Sequence, residues 1–115
     1  MATQRTILIV EDDDAIRELT AMLLEGEHAV HTARNGDEAA AWLDSNTPHV
    51  LFTDIRMPGK VTGQELAMRY WDSDVRVLVT SGERREDHPW LPAGMKYLAK
   101  PYDRRSLLAT LRELL

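Results

Sequence analysis

The most informative stretch of the chain is Ile7-Leu8-Ile9-Val10-Glu11-Asp12-Asp13-Asp14, a short apolar run that ends abruptly in four acids. A wholly apolar run of this length, rich in β-branched residues, is typical of a strand buried on both faces of a parallel sheet. From Asp14 the apolar residues recur at helical spacing, with Asp14 available as the N-cap and Gly26 as the C-terminal stop. The stretch therefore predicts a buried strand that leads into a helix, with acids at the junction.

The same alternation of strands and helices continues along the chain. Further strands are predicted over 28–33, 49–53, 75–80 and 95–99, and further helices begin at Asn35-Gly36-Asp37, Thr62 and Asp103 and run to about Asn46, Trp71 and Leu115. The third helix opens with Thr62-Gly63-Gln64-Glu65, which has the spacing of a capping box. The polar, proline-containing stretch 81–94 predicts a fourth helix that is short or absent. We therefore expect one α/β domain over 1–115, a doubly wound parallel sheet with helices on both faces.

Composition narrows the classes of function. The chain of 115 residues has 14 Lys and Arg against 19 Asp and Glu, a formal net charge of -5, so it lacks the basic field that attracts nucleic acid or anionic lipid. It has no cysteine, which removes disulfides, thiol nucleophiles and thiolate metal sites. No apolar run has the length of a membrane span or the layout of a signal peptide. We expect a cytoplasmic protein that binds neither nucleic acid nor membrane directly.

Charged and hydroxyl side chains stand where the predicted strands end. Glu11, Asp12 and Asp54 would form one acidic cluster if the first and third strands are neighbours, because ligands in such folds bind at the carboxyl ends of the strands. Like charges a few ångströms apart repel by several kcal/mol at an effective dielectric of about 20, so a cation must offset them. Oxygen ligands without Cys or His favour Mg²⁺ or Mn²⁺. Lys100 and Thr80 at the same rim suit a phosphoryl group, which a carboxylate can accept as an acyl phosphate.

Four motifs in order resemble the receiver domain of bacterial two-component response regulators, of the chemotaxis-regulator-like form. They are Ile7-Leu8-Ile9-Val10-Glu11-Asp12-Asp13, Leu51-Phe52-Thr53-Asp54-Ile55-Arg56-Met57-Pro58-Gly59, Val77-Leu78-Val79-Thr80-Ser81-Gly82 and Tyr97-Leu98-Ala99-Lys100-Pro101-Tyr102. The stretch 80–102 is also similar to receivers found with, or fused to, the histidine kinases of α-proteobacteria. The resemblance implies a flavodoxin-like, five-stranded sheet of order 2-1-3-4-5 with a short or irregular fourth helix, and it suggests that a mobile loop replaces the usual output surface.

The resemblance also implies roles around the acceptor. Asp54 becomes the phosphoacceptor and a metal ligand, Asp12 a direct ligand of Mg²⁺ or Mn²⁺, and Glu11 a ligand that acts largely through water. Arg56 contributes its backbone carbonyl to the metal.

Four further residues acquire roles in the same way. Thr80 would bond a phosphoryl oxygen and Lys100 would pair with the phosphate. Tyr97 matches an aromatic switch position whose rotamer follows Thr80. The bond between Lys100 and Pro101 is expected to be cis, which proline makes possible.

The implied partners are a sensor histidine kinase or histidine phosphotransfer protein, which donates the phosphoryl group, and an unidentified target that reads a switched protein-binding surface. We expect a monomer or weak dimer that catalyses only its own phosphoryl transfer and autodephosphorylation. Two alternatives stay open. One is a pseudo-receiver that acts as an unphosphorylated interaction module. The other is an aspartate-nucleophile phosphatase of the haloacid dehalogenase type, which needs a second Asp where this chain reads Asp54-Ile55-Arg56.

The histidines and one arginine pair are not expected to take part in the site. The four histidines, His28, His31, His49 and His88, show no spacing of paired metal ligands and are expected to be exposed or hydrogen-bonded. Arg84 and Arg85 are expected on a solvated face.

Overall fold

A computed structural model describes residues 4–115, so residues 1–3 of the predicted domain lie outside the described residues. Its strands are β1 (Thr6–Val10), β2 (Ala29–Ala33), β3 (Val50–Asp54), β4 (Arg76–Ser81) and β5 (Lys96–Ala99). Its helices are α1 (Asp14–Glu25), α2 (Gly36–Leu43), α3 (Gly63–Tyr70) and α4 (Arg104–Leu114). All four strand pairs are parallel and the order is β2-β1-β3-β4-β5, which confirms the predicted flavodoxin-like fold. Within residues 4–115, no helix is both long and apolar enough to cross a membrane.

The interior strands β1 and β3 carry core residues on both faces. Ile7, Ile9 and Phe52 pack against α1 and α4, whereas Leu8 and Leu51 pack on the opposite side against α2 and α3. All five are at most 2% exposed, and each such burial stabilises the fold by about 1.5–3 kcal/mol. A continuous apolar run therefore suits β1 and β3 because neither face of these strands meets water.

Each helix begins at a polar side chain that accepts a backbone hydrogen bond. Asn35 caps α2 and Thr62 caps α3, as the sequence predicts. The predicted cap Asp14 is wrong: Asp13 caps α1, because its backbone is extended and its Oδ1 accepts from the Ile16 N–H at 2.9 Å.

The predicted capping box of α3 forms only in part. Thr62 Oγ1 accepts from the Glu65 N–H at 3.0 Å, while the Glu65 carboxylate pairs with Arg69 at 2.7 Å. The cap therefore uses the threonine alone, and the glutamate stabilises the next turn of the helix.

The start of α3 lies directly against the end of β3. A Cβ placed on Gly63 would lie 1.7 Å from the carbonyl oxygen of Asp54 and 2.9 Å from the Cα of Ile55. Only glycine allows this approach, because both neighbours are backbone atoms. The contact fixes the backbone of Asp54 against the first turn of a helix.

Between β4 and β5 the chain forms only a 3₁₀ turn, Arg85–Asp87. This confirms the prediction that the helix expected within residues 81–94, between these two strands, is short or absent. We call residues 82–95 the crossover segment. The Arg85 guanidinium holds it by donating to the carbonyls of Met95 at 2.7 Å, Pro92 at 2.9 Å and Ala93 at 3.4 Å. The expectation that Arg85 lies on a solvated face is therefore wrong, because these three carbonyls face the guanidinium.

Candidate functional site

The strand order brings the predicted acids together at one edge of the sheet. One carboxylate oxygen from each of Glu11, Asp12 and Asp54 lies within 4.8 Å of the other two. Glu11 and Asp54 are buried, whereas Asp12 is exposed. The result is a pocket of negative charge with one open side, lined by the ends of β1 and β3.

Glu11 is held in this pocket by two contacts. Its Oε2 accepts from the Asp13 N–H at 3.2 Å, and its Oε1 lies 2.6 Å from Lys100 Nζ. The second contact is a short ion pair between two side chains that are largely shielded from solvent. Burial raises the pKa of the Glu11 carboxyl to about 7, even though Lys100 and the Asp13 N–H favour the ionised form.

Asp54 is fixed by one neighbour on each oxygen. Its Oδ1 accepts from the Arg56 backbone N–H at 3.1 Å, and its Oδ2 accepts from Lys100 Nζ at 2.8 Å. Lys100 follows β5 and is anchored by its own N–H, which donates to the Ser81 carbonyl at 2.8 Å. Burial alone would lower the pKa of Lys100, but Asp54 and Glu11 raise it above the ordinary value. The ammonium therefore bridges the two buried acids.

The donor set of this cluster suits a hard divalent cation. All three acids offer carboxylate oxygens, and Asp12 leaves the approach from solvent open. The single positive charge of Lys100 offsets only part of the negative charge of the three acids. A bound cation would therefore lower the remaining repulsion between their carboxylates.

Of the two predicted switch residues, Thr80 lies next to Asp54 in the sheet, whereas Tyr97 lies on β5 and contacts the segment that follows β4. Thr80 is paired with Asp54 across the β3–β4 ladder, but its hydroxyl donates to the Leu98 carbonyl at 2.5 Å. The Tyr97 hydroxyl donates to the Glu83 carbonyl. The peptide bond between Lys100 and Pro101 is cis. Thr80 must therefore turn its hydroxyl away from β5 before it can contact a group on Asp54.

One contact of the acidic loop escaped the sequence reasoning. Arg17 is only 11% exposed, and it donates to the Glu11 carbonyl at 3.0 Å and to Asp14 at 2.5 Å. Its position three residues after Asp14 on a helix was a usable signal, since that spacing brings side chains together. Arg17 fixes the backbone from which Glu11 projects.

A second missed set involves Glu83 and His88, which lie in the crossover segment. The Glu83 carboxylate is 2.5 Å from Arg56 Nε and 3.4 Å from His88 Nε2. His88 is 3% exposed, and its Nε2 shares a hydrogen bond with Ser81 Oγ at 3.1 Å. No local pattern announces these contacts, because Arg56 and Glu83 are 27 residues apart.

An apolar groove of about 470 Å³ adjoins the site between α1 and the loop after β5. Lys100 lines this groove together with Leu19, Leu23 and Tyr102. Leu19 is 57% exposed, and Met22 on the same helix is 70% exposed. The acidic cluster therefore opens next to an uncovered apolar surface.

Comparison with known proteins bears directly on this site. The family model described as the response regulator receiver domain matches residues 7–112. The chain is 34% identical over 114 residues to the transcriptional regulatory protein FixJ of Azorhizobium caulinodans, covering 90% of this chain and 52% of that protein, so it spans about half the length of such relatives. It is 33% identical over 116 residues to protein PilH of Pseudomonas aeruginosa, covering 95% of this chain and 96% of PilH. The response regulator TrrA of Thermotoga maritima, solved in complex with Mg²⁺-BeF, superposes with a TM-score of 0.82 and 29% identity over 97% of this chain and all of TrrA.

Proposed function

The chain belongs to the response regulator receiver family of two-component systems, and on that premise we propose that Asp54 accepts a phosphoryl group with the help of Mg²⁺ or Mn²⁺. The observation that carries the proposal is the arrangement of Asp54 Oδ2, which lies 2.8 Å from Lys100 Nζ and beside the carboxylates of Glu11 and Asp12. A nucleophilic carboxylate, a cation to pair with the phosphate and ligands for a metal thus meet at one edge of the sheet.

In the proposed reaction an Asp54 oxygen attacks the phosphorus of a phosphohistidine. The P–N bond breaks as the new P–O bond forms, and the leaving imidazole takes the electron pair and then a proton from water. Lys100 pairs with the incoming phosphoryl oxygens, and Thr80 turns to donate its hydroxyl to one of them. Asp12, Asp54, the Arg56 carbonyl and, through water, Glu11 would hold the metal, which when bound would supply positive charge to offset the charge on these oxygens.

The phosphoryl donor in this proposal is a sensor histidine kinase or a histidine phosphotransfer protein. It has to bring its histidine to Asp54. The apolar groove beside Lys100, which includes the exposed Leu19, is the surface that a docked partner would cover. Phosphorylation then switches a surface for a downstream protein target. We further propose that residues 1–115 form one receiver domain, monomeric or weakly dimeric and cytoplasmic.

Incubation with acetyl phosphate and Mg²⁺ tests the acceptor role. Mass spectrometry should show a gain of one phosphoryl group that chelation of the metal prevents and Asp54→Asn abolishes. Asp72→Asn makes the same chemical change on an exposed acid outside the cluster and should label like the wild type. An unchanged mass of the wild-type protein would contradict the proposal.

Two other functions remain to be separated from this one. If the chain is a pseudo-receiver, the wild-type protein with beryllofluoride and the Asp54→Asn variant should bind the partner equally well. A phosphatase of the haloacid dehalogenase type needs an acid where Arg56 stands, so we expect turnover of small phosphomonoesters to stay at background.

A further inference from the structure

Two loops flank the acceptor, and one ion pair joins them. Arg56 follows β3, two residues after Asp54, and its side chain reaches Glu83, three residues after Thr80 on the other loop. The contact has two arms, Arg56 Nε to Glu83 Oε1 at 2.5 Å and Arg56 Nη2 to Glu83 Oε2 at 3.4 Å. The pair therefore joins the loop that follows β3 to the loop that follows β4, at the edge of the sheet where Asp54 lies.

The two cations near Asp54 differ in how firmly they are held. Lys100 is 18% exposed and already lies against Asp54 and Glu11. The Arg56 side chain is 69% exposed, and its partner Glu83 is 39% exposed. Exposed ion pairs of this kind are weak, whereas a guanidinium binds phosphate oxygens in a planar, two-pronged geometry. A dianion on Asp54 is thus a stronger partner for Arg56 than Glu83 is.

We propose that Glu83 holds the Arg56 guanidinium away from Asp54 in the unphosphorylated protein, and that a phosphoryl group on Asp54 takes this guanidinium over. The inference rests on the proposed acceptor role of Asp54. It makes Glu83 a positioning residue that competes with the phosphoryl group for one cation.

The exchange has a route into the crossover segment. Besides Arg56, Glu83 contacts His88 through its carboxylate, Ser81 through its N–H, which donates to Ser81 Oγ at 2.9 Å, and Tyr97 through its carbonyl. The buried His88 ring packs edge-on against Trp90, with centroids 6.4 Å apart. When Arg56 leaves, Glu83 keeps only the contacts on the crossover side, so its position and that of the His88–Trp90 pair change together.

Beryllofluoride with Mg²⁺ is a suitable probe because it mimics the phosphoryl group without turnover. Its affinity is measured calorimetrically for wild type, Glu83→Gln, Arg56→Gln and the double variant. Freeing Arg56 should tighten binding to Glu83→Gln about two- to fivefold, the range that matches a weak exposed ion pair. Arg56→Gln, which keeps its backbone carbonyl, should bind more weakly than wild type, and adding Glu83→Gln to it should change nothing further.

Glu86→Gln is the matched control. Glu86 lies in the same segment, is exposed and pairs loosely with Arg84 at 3.8 Å, so its neutralisation makes the same change in net charge. It should bind beryllofluoride like the wild type. Trp90 fluorescence adds a second readout: emission from ligand-free Glu83→Gln should move toward that of the beryllofluoride-bound wild type, and Trp90→Phe identifies the part of the signal due to Trp90.

The outcomes separate the possible failures. If Glu83→Gln tightens binding equally in the Arg56→Gln background, the effect is general repulsion and the exchange is wrong. If Glu83→Gln binds like the wild type, the competition does not exist. If wild type and Asp54→Asn bind beryllofluoride equally, the acceptor role itself fails, and this inference fails with it.

Discussion

Gly63→Ala should destabilise the protein strongly, although it adds a single methyl group. The new Cβ would lie 1.7 Å from the Asp54 carbonyl oxygen, and α3 and β3 must separate by about 1.7 Å to restore an ordinary contact of 3.4 Å. Overpacking of this kind costs about 1–3 kcal/mol. We expect the upper end, about 3 kcal/mol, because both neighbours are backbone atoms that no side-chain rotation can move. For a domain of this size that loss lowers Tm by roughly 12 °C.

Thermal unfolding followed by circular dichroism measures this effect, with Gly26→Ala as the matched control. Gly26 ends α1 in a helical conformation with φ of -69°, and its added Cβ would meet nothing within 4 Å. The control should be stabilised by about 0.4–1 kcal/mol through the lower entropy of its unfolded chain. Because the clash falls on the backbone of Asp54, Gly63→Ala should also bind beryllofluoride more weakly than Gly26→Ala. A Gly63→Ala protein that melts within about 1 °C of the wild type would refute the packing argument.

Three further predictions address contacts away from this interface. Tyr102→Phe removes the hydrogen bond to the buried Thr20 hydroxyl at 2.7 Å and should lower the free energy of unfolding, measured in urea, by about 1–2 kcal/mol. Thr20→Val made in the Tyr102→Phe background should then lower it little further. A second loss of the same size would contradict this. Arg85→Lys cannot reach three carbonyls with one ammonium and should speed limited proteolysis within the crossover segment, whereas equal rates would show that Arg85 does not hold it. The Ser106 N–H lowers the pKa of Asp103, so the stabilisation from this ionised cap is present above about pH 4 and is lost as the pH falls through the lower folded value. The advantage in Tm of wild type over Asp103→Asn should therefore shrink in acid, and a constant difference would count against it.

The parts of the molecule that the sequence predicted share a physical cause. Strands buried on both faces need unbroken apolar runs, so β1 and β3 are visible in the sequence, and the polar residue after each run marks the edge of the sheet. Glu11, Asp54 and Lys100 could be found in this way because their positions follow from the ends of strands. The lack of a regular helix between β4 and β5 was predictable because the polar residues and prolines of that segment disfavour a helix.

What the sequence did not reveal depends on geometry between distant segments or between neighbours of equal chemistry. Asp13 and Asp14 are equally good caps by composition, and only the backbone conformation decides between them. Arg85 looks like a surface residue until its three carbonyl partners are seen. The pairing of Arg56 with Glu83 joins loops that follow different strands, and no periodic pattern carries that information.

The crossover segment and the central sheet differ in the free energy that is needed to open their backbone hydrogen bonds. The proposed acceptor and the proposed metal ligands stand at the ends of β1 and β3. The backbone amides of these strands are shared with neighbouring strands on both sides, so they open only when most of the sheet comes apart. Residues 82–95 contain one 3₁₀ turn and are held largely by side chains, and such regions open by local unfolding at a small fraction of that free energy. Hydrogen exchange should therefore resolve two classes of amide. The proposed acceptor and metal ligands belong to strands with slowly exchanging amides, whereas Glu83 and His88 belong to a segment with rapidly exchanging amides.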